Sequence, residues 1–464
     1  MRARSGRFSV VVVLALVCWS AIGAGFAIAK PGQLDHGFGT HGKAITWVGE
    51  IDAFAEAQQP PRTEIAAAGG GRIVAGAGQT VVRYTAAGRL DPSFGQRGRV
   101  VLPVAVGYTF ELSGIAIDSR GRVLVAGSTT SGVYPDHDSS ATIYRYLPGG
   151  ELDPDFGDNG ALTTDFGLPP STERPDYPTK PSFRFELPVV YVLGLAVDSR
   201  DRPVLTGSWV PSQTMCYPFY EYEDGHKGYV ARLRPGGALD TSFAGTGVLA
   251  DAGADEAVEP RVGEDGKILY ASDFTDCVPR GRNPNGGLHR LLASGQHDPG
   301  FGSAGQVYDP TFYEAPATAV DRFGRIFLAG FGSEEAPPGS QGWLIRRLSP
   351  RGFPSPGFGG SVRLPSCFNP ASLAVDRQGR ALLATSEVVE TGFCQFLVIR
   401  RNRDGSADMG FGRGGKVYTE FPGSAAADAI LVGGRDRIVV AGTTTDPFSR
   451  RYGLALVRYR GGGP

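Results

Sequence analysis

Short apolar runs separated by polar turns recur along most of the chain. In the clearest stretch, Ser113–Ile117 is followed by the polar step Asp118–Gly121, a second run over Arg122–Ser128 and a third over Ala141–Leu147. Runs of this length bounded by Gly, Asp and Pro are typical of β-strands, and the four-residue step predicts a hairpin turn. A fourth strand is predicted over Ala161–Thr163.

A short signature punctuates these strands seven times: Leu and Asp, two residues, Phe and Gly, and a further Gly about three residues later. The copies are near sixty residues apart, except for a longer insertion between the third and the fourth. This period indicates a propeller or a solenoid. Four antiparallel strands per repeat predict an all-β, seven-bladed β-propeller. The signature phenylalanines are Phe38, Phe94, Phe156, Phe243, Phe301, Phe358 and Phe411.

The two ends of the repeat array are complementary. The first signature begins at Leu34, whereas the last strand, Leu454–Arg460, has no signature after it. We predict that Gly42–Val48 is the outer strand of a blade whose other three strands come from Asp428–Arg460, which would close the ring. Residues 30–464 are expected to form a single propeller domain.

The signature itself suggests a structural role. Its phenylalanines are expected to be buried between blades, and its glycines to form tight turns. An arginine precedes each copy at a fixed spacing, and we expect it to pair with a nearby aspartate. These arginines are Arg83, Arg145, Arg232, Arg290, Arg347, Arg400 and, in the last strand, Arg458. The copies also drift: Ala244 replaces a glycine, His297 a leucine, and Pro354-Ser355 the Leu-Asp of the sixth copy.

The order Gly-Ile-Ala-Val-Asp, Gly-Arg, Phe-Gly resembles the repeats of the delta-60 repeat family of exported bacterial proteins and, more distantly, NHL-type propellers. The resemblance covers about Gly32 to Arg460. It implies the propeller fold, but no particular reaction. In the NHL register, the short turns fall on one face of the disc and the long, variable connections on the other. Binding residues concentrate on loops carried by a rigid scaffold, so the variable-loop face is the expected working surface.

The N-terminus predicts export. Arg2, Arg4 and Arg7 precede an apolar run from Phe8 to Ala29 that ends in Ala-Ile-Ala, which is typical of a secretory signal peptide over residues 1–29. The alternative is an uncleaved membrane anchor, because about twenty such residues span a bilayer. We expect a secreted, extracellular or cell-envelope protein, without membrane attachment after cleavage.

Charge and cysteines add two expectations. The formal net charge is −1, without a basic run, which argues against a nucleic-acid partner. Cleavage would leave Cys216, Cys277, Cys367 and Cys394, enough for two disulfides in an exported chain. Three pairings are possible, and the register favours Cys216 with Cys277 and Cys367 with Cys394. No C-x-x-C or paired histidines support a zinc site.

Two aromatic-rich insertions, Leu168–Tyr191 and Trp209–Tyr229, fall on the variable-loop face. Their rings, with others in a later loop, form a candidate site for a glycan or a protein partner. The alternative is that they pack the long loops onto the disc. The candidate ligand-binding residues are Trp209, Tyr217, Phe219, Tyr220, Tyr222, Phe183, Phe185 and Tyr313.

The acidic segment Asp136-His137-Asp138 is the best candidate for a metal site. With Glu223, Asp224 and His226 nearby, Asp136 and Asp138 could hold a divalent cation such as calcium. The main expectation is that they are solvated loop residues and that the protein needs no cofactor. The histidines His289 and His297 are expected to be scaffold residues.

Two classes of function follow. The favoured one is a recognition or scaffold propeller, and the alternative is a propeller enzyme, such as a lyase or lactonase, with its site at the mouth of the central channel. An enzyme should bring His, Glu or Asp from several inner strands together. The inner strands, such as Gly194–Val197 and Leu373–Val375, are small and apolar. Glu259 and Arg261 are the exception, which an isolated ion pair would explain.

Overall fold

The computed structural model describes residues 30–50, 61–133, 136–169, 189–216, 221–250, 252–273, 286–309, 312, 317–332, 342–358, 361–362, 372–390, 392–449 and 451–462. Within these ranges the chain forms seven separate four-stranded antiparallel sheets and two short 3₁₀ turns. The sheets are the blades of a ring, which confirms the all-β, seven-bladed β-propeller. No helix in the described ranges is long and apolar enough to cross a membrane.

The first strand of the chain, β1 (Lys43–Glu50), belongs to the last blade, so blade 1 begins at the second strand. Blade 1 contains β2 (Thr63–Ala68), β3 (Arg72–Ala77), β4 (Thr80–Tyr84) and β5 (Arg99–Val101). Blade 2 contains β6 (Tyr108–Ile117), β7 (Val123–Val133), β8 (Asp136–Tyr146) and β9 (Ala161–Thr164). Blade 3 contains β10 (Val189–Val197), β11 (Pro203–Cys216), β12 (Glu221–Arg232) and β13 (Val248–Leu249).

The remaining blades repeat this plan. Blade 4 contains β14 (Glu256–Val262), β15 (Ile268–Asp273), β16 (Gly286–Leu291) and β17 (Gln306–Tyr308). Blade 5 contains β18 (Ala317–Val320), β19 (Ile326–Gly332), β20 (Gly342–Leu348) and β21 (Ser361–Val362). Blade 6 contains β22 (Ser372–Val375), β23 (Ala381–Val388), β24 (Cys394–Arg401) and β25 (Lys416–Thr419). Blade 7 contains β26 (Ala425–Val432), β27 (Ile438–Thr445), β28 (Arg451–Tyr459) and β1.

Blade 7 closes the ring with strands from both ends of the described chain. β1 pairs antiparallel with β28, so that Lys43 lies opposite Val457 and Thr46 opposite Leu454. The predicted outer strand, Gly42–Val48, is therefore confirmed to within two residues of its observed bounds. Because the closing strand is hydrogen-bonded within the blade, the first and last parts of the array hold each other in place.

The apolar core is divided among the junctions between blades. Seven clusters of buried side chains each join residues of two adjacent blades, and each cluster contains one signature phenylalanine. Six of these seven rings are fully buried, and Phe358 is 8% exposed. Burying each ring contributes about 2 kcal/mol. The predicted packing role of the signature is confirmed.

The predicted ladder of arginines is observed for six of the seven, and Arg347 is the exception. In blade 2, Arg145 Nε donates to Asp153 Oδ2 at 2.8 Å, and the guanidinium lies 4.6 Å from the centre of the Phe156 ring. The same arginine donates through Nη1 to the carbonyl of Pro235 in blade 3. One side chain thus joins the signature of its own blade to the backbone of the next. The other carboxylate pairs are Arg83–Asp91, Arg232–Asp240, Arg290–Asp298, Arg400–Asp408 and Arg458–Asp35.

The antiparallel order within a blade defines two faces. Turns between the first and second strands, such as Asp118 to Arg122, and the signature turns lie on one face. Connections between the second and third strands, and from one blade to the next, lie on the other, which is the variable-loop face. Two segments predicted as loops there are strands: Asp136–Asp138 begins β8, and much of Trp209–Tyr229 forms the long hairpin of β11 and β12. In both hairpins the two strands stay paired beyond the body of the blade, as far as Val133 opposite Asp136 and Cys216 opposite Glu221.

Candidate functional site

Two of the inner strands carry a glutamate at a position where the other blades have a small residue. Four residues before the first hairpin turn, most blades have a small residue. These residues are Gly114, Gly194, Ala317, Ser372 and Ala429. Blades 1 and 4 instead have Glu64 and Glu259 at this position. The expectation of small, apolar inner strands, with Glu259 and Arg261 of blade 4 as the exception, is therefore wrong for blade 1.

A third acidic residue, Asp428, comes from the inner strand of blade 7. The pairing of β26 with β27 shifts register between Ala427 and Ala429, so Asp428 is the extra residue of a β-bulge. The N–H of Thr63, in neighbouring blade 1, donates to Asp428 Oδ2 at 2.9 Å. Asp428 therefore lies beside the strand that carries Glu64. Because β2 and β26 enter from the variable-loop face, both carboxyl groups lie toward that mouth of the channel.

Glu259 is placed by a second irregular strand. β14 shifts register between Val258 and Arg261, and Glu259 has a φ of 48°, in the left-handed region that non-glycine residues rarely adopt. Gly194 of blade 3 makes room for this bulge, since a Cβ at that position would overlap Cδ of Pro260. This bulge brings a carboxylate to the channel.

Glu259 and Arg261 also join blade 4 to blade 5, so they are more than the isolated ion pair expected from the sequence. Glu259 Oε2 accepts from the N–H of Thr318 at 3.1 Å, and Arg261 Nη2 donates to the carbonyl of Thr318 at 2.6 Å. The two side chains contact each other at 3.5 Å. This network fixes the charged groups on the far side of the channel from blades 1 and 7.

The electrostatics of the channel favour protonated carboxyl groups. Burial raises the pKa of Glu64 to about 8, with further increases from the charges of Glu259 and Asp428, despite the opposing effect of Arg62 and Arg261. Burial also raises the pKa of Asp428 to about 7, although the Thr63 hydrogen bond and Arg62 favour its ionised form. Both side chains are partly exposed to the channel. They can therefore exchange protons near neutral pH.

Glu256 extends this acidic region along β14. Burial and the neighbouring Asp255 raise its pKa, and Arg62 opposes the increase. Arg62 thus acts electrostatically on Glu64, Glu256 and Asp428 together. The channel combines neutral carboxylic acids, which donate and accept hydrogen bonds, with ionised groups and two arginines. Such an arrangement can bind polar groups of a ligand and transfer a proton.

Glu64 and Asp428 were not predicted from the sequence. Each stands in a run of small residues, Ile-Ala-Ala-Ala after Glu64 and alanines on both sides of Asp428. Aligning the inner strands on their hairpin turns would have revealed Glu64 as a departure from glycine and alanine. Asp428 requires the bulge as well, because the residue aligned with Glu64 in blade 7 is Ala429.

Of the candidate ligand-binding residues in the predicted aromatic patch, the structure describes only the side chain of Trp209. Trp209 is 5% exposed, packs in the cluster between blades 2 and 3, and donates through Nε1 to the carbonyl of Ala250 at 2.7 Å. Its position fits the packing alternative. Tyr222 lies opposite Met215 in the hairpin of β11 and β12, and its side chain is outside the described part of the structure. The other candidates, Phe183, Phe185, Tyr217, Phe219, Tyr220 and Tyr313, also lie outside the described residues.

The metal and disulfide candidates that the structure describes are on the variable-loop face. Asp138 is exposed on β8, and the Asp136 side chain lies outside the described part. Within the described ranges, no group of three His, Cys, Asp or Glu side chains is arranged to hold a metal ion. Cys216 ends β11, and Cys394, which begins β24, is disulfide-bonded. Cys277 and Cys367 are outside the described residues, so the pairing of the four cysteines stays a prediction.

His289 and His297 of blade 4 were expected to be scaffold residues. His289 is fully buried, stacks on Tyr270 with ring centres 5.0 Å apart, and approaches Ser272 Oγ at 3.0 Å through Nε2. Burial and, secondarily, His297 lower its pKa to about 4. It is therefore neutral at physiological pH, away from the channel carboxyl groups.

No protein-family model and no curated protein matches the chain, so the resemblance to delta-60 repeats stays a prediction. Among solved structures, a glucose dehydrogenase is 12% identical, with 89% of this chain and 99% of that one covered and a TM-score of 0.39. A gluconolactonase from Xanthomonas campestris is 12% identical over 89% of this chain and 98% of that one, with a TM-score of 0.34. A leech intramolecular trans-sialidase is 9% identical, with coverages of 89% and 70% and a TM-score of 0.39. These similarities are confined to the fold and carry no argument about function.

Proposed function

We propose that the central channel binds a small polyhydroxylated ligand, of the size of a sugar or a sugar lactone, and exchanges a proton with it through Glu64 and Asp428. The observation that carries this proposal is the pair of carboxyl groups from neighbouring blades with pKa values of about 8 and about 7. Strongly raised pKa values in a cleft mark candidate acid–base groups. This is the enzyme alternative at the channel mouth.

The residues have distinct roles in this proposal. Glu64, the weaker acid, holds its proton at neutral pH and donates it to a ligand oxygen. Asp428 loses its proton at a lower pH and accepts one. Glu259, held by Thr318 and Arg261, orients the ligand from the opposite side. Two carboxyl groups with different pKa values can divide acid and base functions.

The first experiment tests binding and turnover separately. Thermal shifts of the purified protein are measured against neutral sugars, polyols and sugar lactones, and lactone hydrolysis is followed by acid release across pH 5 to 9. We expect a shift with at least one ligand, and its loss in Glu64→Gln and Asp428→Asn. Glu390→Gln removes an exposed carboxylate from a connection on the same face and should retain the shift. Equal responses in all three variants would refute a channel site.

A second candidate is recognition through the variable-loop face, together with export as a secreted or cell-envelope protein. Exposed aromatic rings on this face support it. They are Tyr108, Tyr308, Phe393, Tyr418 and Phe448. Phe448 is 95% exposed. Replacing Phe393 and Phe448 by serine should abolish glycan or protein capture without changing the channel-ligand shift.

A further inference from the structure

Six of the seven blade junctions share one charged arrangement. An aspartate of the signature accepts from Nε of the strand arginine and also contacts a second cation, which comes from the first hairpin turn of the same blade. In blade 2 the two cations of Asp153 are Arg145 and Arg122, at 2.8 and 3.3 Å. The second cations in the other five blades are Arg72, Arg202, Lys267, Arg380 and Arg437.

Blade 5 lacks this aspartate. Ser355 takes its place, and its N–H donates to the carbonyl of Arg347 at 2.9 Å, as the N–H of Asp153 does to Arg145 at 2.8 Å. The backbone is therefore the same, but the carboxylate is replaced by a hydroxyl. Nε of Arg347 is buried, and no described residue accepts a hydrogen bond from it. In the six other blades, the equivalent Nε donates to the aspartate.

Arg347 nevertheless keeps its place in the junction. Its guanidinium lies 4.9 Å from the centre of the Phe358 ring, and Nη1 donates to the carbonyl of Arg403 in blade 6 at 2.5 Å. The second cation, Arg325, is also present and pairs with Asp321 at 2.6 Å. Two arginines thus occupy their usual positions without the carboxylate that the other blades place between them.

We propose that blade 5 binds a small monovalent anion, with chloride as the test ligand, at Nε of Arg347 beside Ser355 and Arg325. A buried cationic N–H without an acceptor is unfavourable, and an anion restores the hydrogen bond that a carboxylate makes elsewhere in the ring. The Ser355 hydroxyl adds a donor on the same turn. Charge also favours binding, because the charged groups that act on Arg347 are two arginines, Arg325 and Arg403, and one carboxylate, Asp321, which is paired with Arg325.

The test is a chloride titration of the purified protein at constant ionic strength, with methanesulfonate as the replacing anion. A ligand that binds only the folded state raises the melting temperature. We expect a saturable, chloride-specific rise of a few degrees in the wild type. Ser355→Asp should raise the melting temperature in methanesulfonate and remove the chloride response, because the new carboxylate takes the anion's position.

Two controls keep the proposal falsifiable. Ser303→Asp adds the same charge in the exposed signature turn of blade 4 and should retain the full chloride response. Asp153→Ser gives blade 2 the blade 5 arrangement, so it should lower the melting temperature and add a second chloride response. Bromide-soaked crystals should show an anomalous peak beside Arg347. An absent peak, or a chloride response that Ser355→Asp leaves unchanged, would overturn the proposal.

Discussion

The blade junctions and the central channel use acidic residues in opposite ways. At the junctions, hydrogen bonds from Ser242 and the charge of Arg232 outweigh the effect of burial and lower the pKa of Asp240 to about 2. In the channel, burial and neighbouring carboxylates raise the pKa of Glu64 to about 8. The first arrangement repeats around the ring and stabilises the fold. The second occurs in only some blades. Burying these carboxyl groups lowers the stability of the fold, and a binding or catalytic role would explain why they are present.

The repeat therefore helps to separate structure from function. A contact that recurs at the same position in most blades follows from the need to join one blade to the next. A charged residue at a position where most other blades have a small residue is not explained by this need. Glu64 and Glu259 meet this second criterion, and Asp428 is an extra residue that a bulge adds to its strand. The arginines and phenylalanines of the signature meet the first criterion.

The largest expected effect comes from breaking one junction. Arg145→Ala removes a nearly fully buried arginine and leaves Asp153 with a single cationic partner, Arg122, at the longer distance of 3.3 Å. Losing one partner of a buried pair costs about 3–5 kcal/mol, so the free energy of unfolding in urea should fall by that amount. Arg72→Ala is the control, because Arg72 is 47% exposed and its loss should cost less than about 1 kcal/mol. Equal losses of unfolding free energy in the two variants would contradict the claim that the buried arginines contribute most of the stability of the ladder.

A smaller effect is expected where the scaffold supports the channel. In Gly194→Ala, the added Cβ would overlap Pro260 and force the bulge that carries Glu259 to move. Overpacking of this kind costs about 2–3 kcal/mol. Denaturation should show that loss, and the ligand-induced thermal shift should weaken as well.

Gly69→Ala is the matched control, since a Cβ there meets no atom within 4 Å. Its stability should stay within about 0.5 kcal/mol of the wild type. A Gly194→Ala protein with normal stability and normal ligand response would show that the bulge position is unimportant.

The channel should also make stability depend on pH. Unfolded Glu64 releases its proton near its ordinary pKa of 4.5, whereas the folded protein holds it until about pH 8. Between these values the unfolded state binds fewer protons, so the free energy of unfolding falls as the pH rises. Each pKa unit corresponds to about 1.4 kcal/mol, so even half of this interval amounts to about 2 kcal/mol.

Glu64→Gln should therefore be about 2 kcal/mol more stable than the wild type at pH 8, with the difference vanishing below pH 4.5. Urea denaturation at several pH values measures this difference. Glu390→Gln, which changes an exposed carboxylate, should follow the wild type at every pH. A pH-independent offset for Glu64→Gln would mean that packing, and not proton binding, causes the change.

The sequence predicted the fold more completely than the site. The repeated Phe and Arg positions identify the blades because each junction needs the same contacts, and the closing strand follows from the incomplete first and last repeats. The channel residues were harder to recognise, because Glu64 and Asp428 stand in unremarkable alanine-rich segments. The two residues come close together only when ring closure brings blade 7 beside blade 1. The hydrogen bond from the N–H of Thr63 to Asp428 shows this contact.

The smallest expected effect concerns a drifted copy of the signature. Ala244 takes the place of a signature glycine and has a φ of 50°, a conformation that costs a residue with a Cβ about 1 kcal/mol. The turn adjusts: Thr246 Oγ1 donates to the carbonyl of Val248 at 2.9 Å. Ala244→Gly relieves the strain but gives the unfolded chain more freedom, so the two effects partly cancel.

We therefore expect Ala244→Gly to raise the free energy of unfolding by about 0.5 kcal/mol. The reverse change in an undrifted copy, Gly157→Ala, should destabilise the protein, because its Cβ would overlap the carbonyl of Ala161. Urea denaturation of both variants compares the two turns directly. If Gly157→Ala were as well tolerated as Ala244 is, the signature glycine would be a preference of the turn and not a requirement of the junction. The apolar clusters and the arginine contacts would then account for the repeated links between blades.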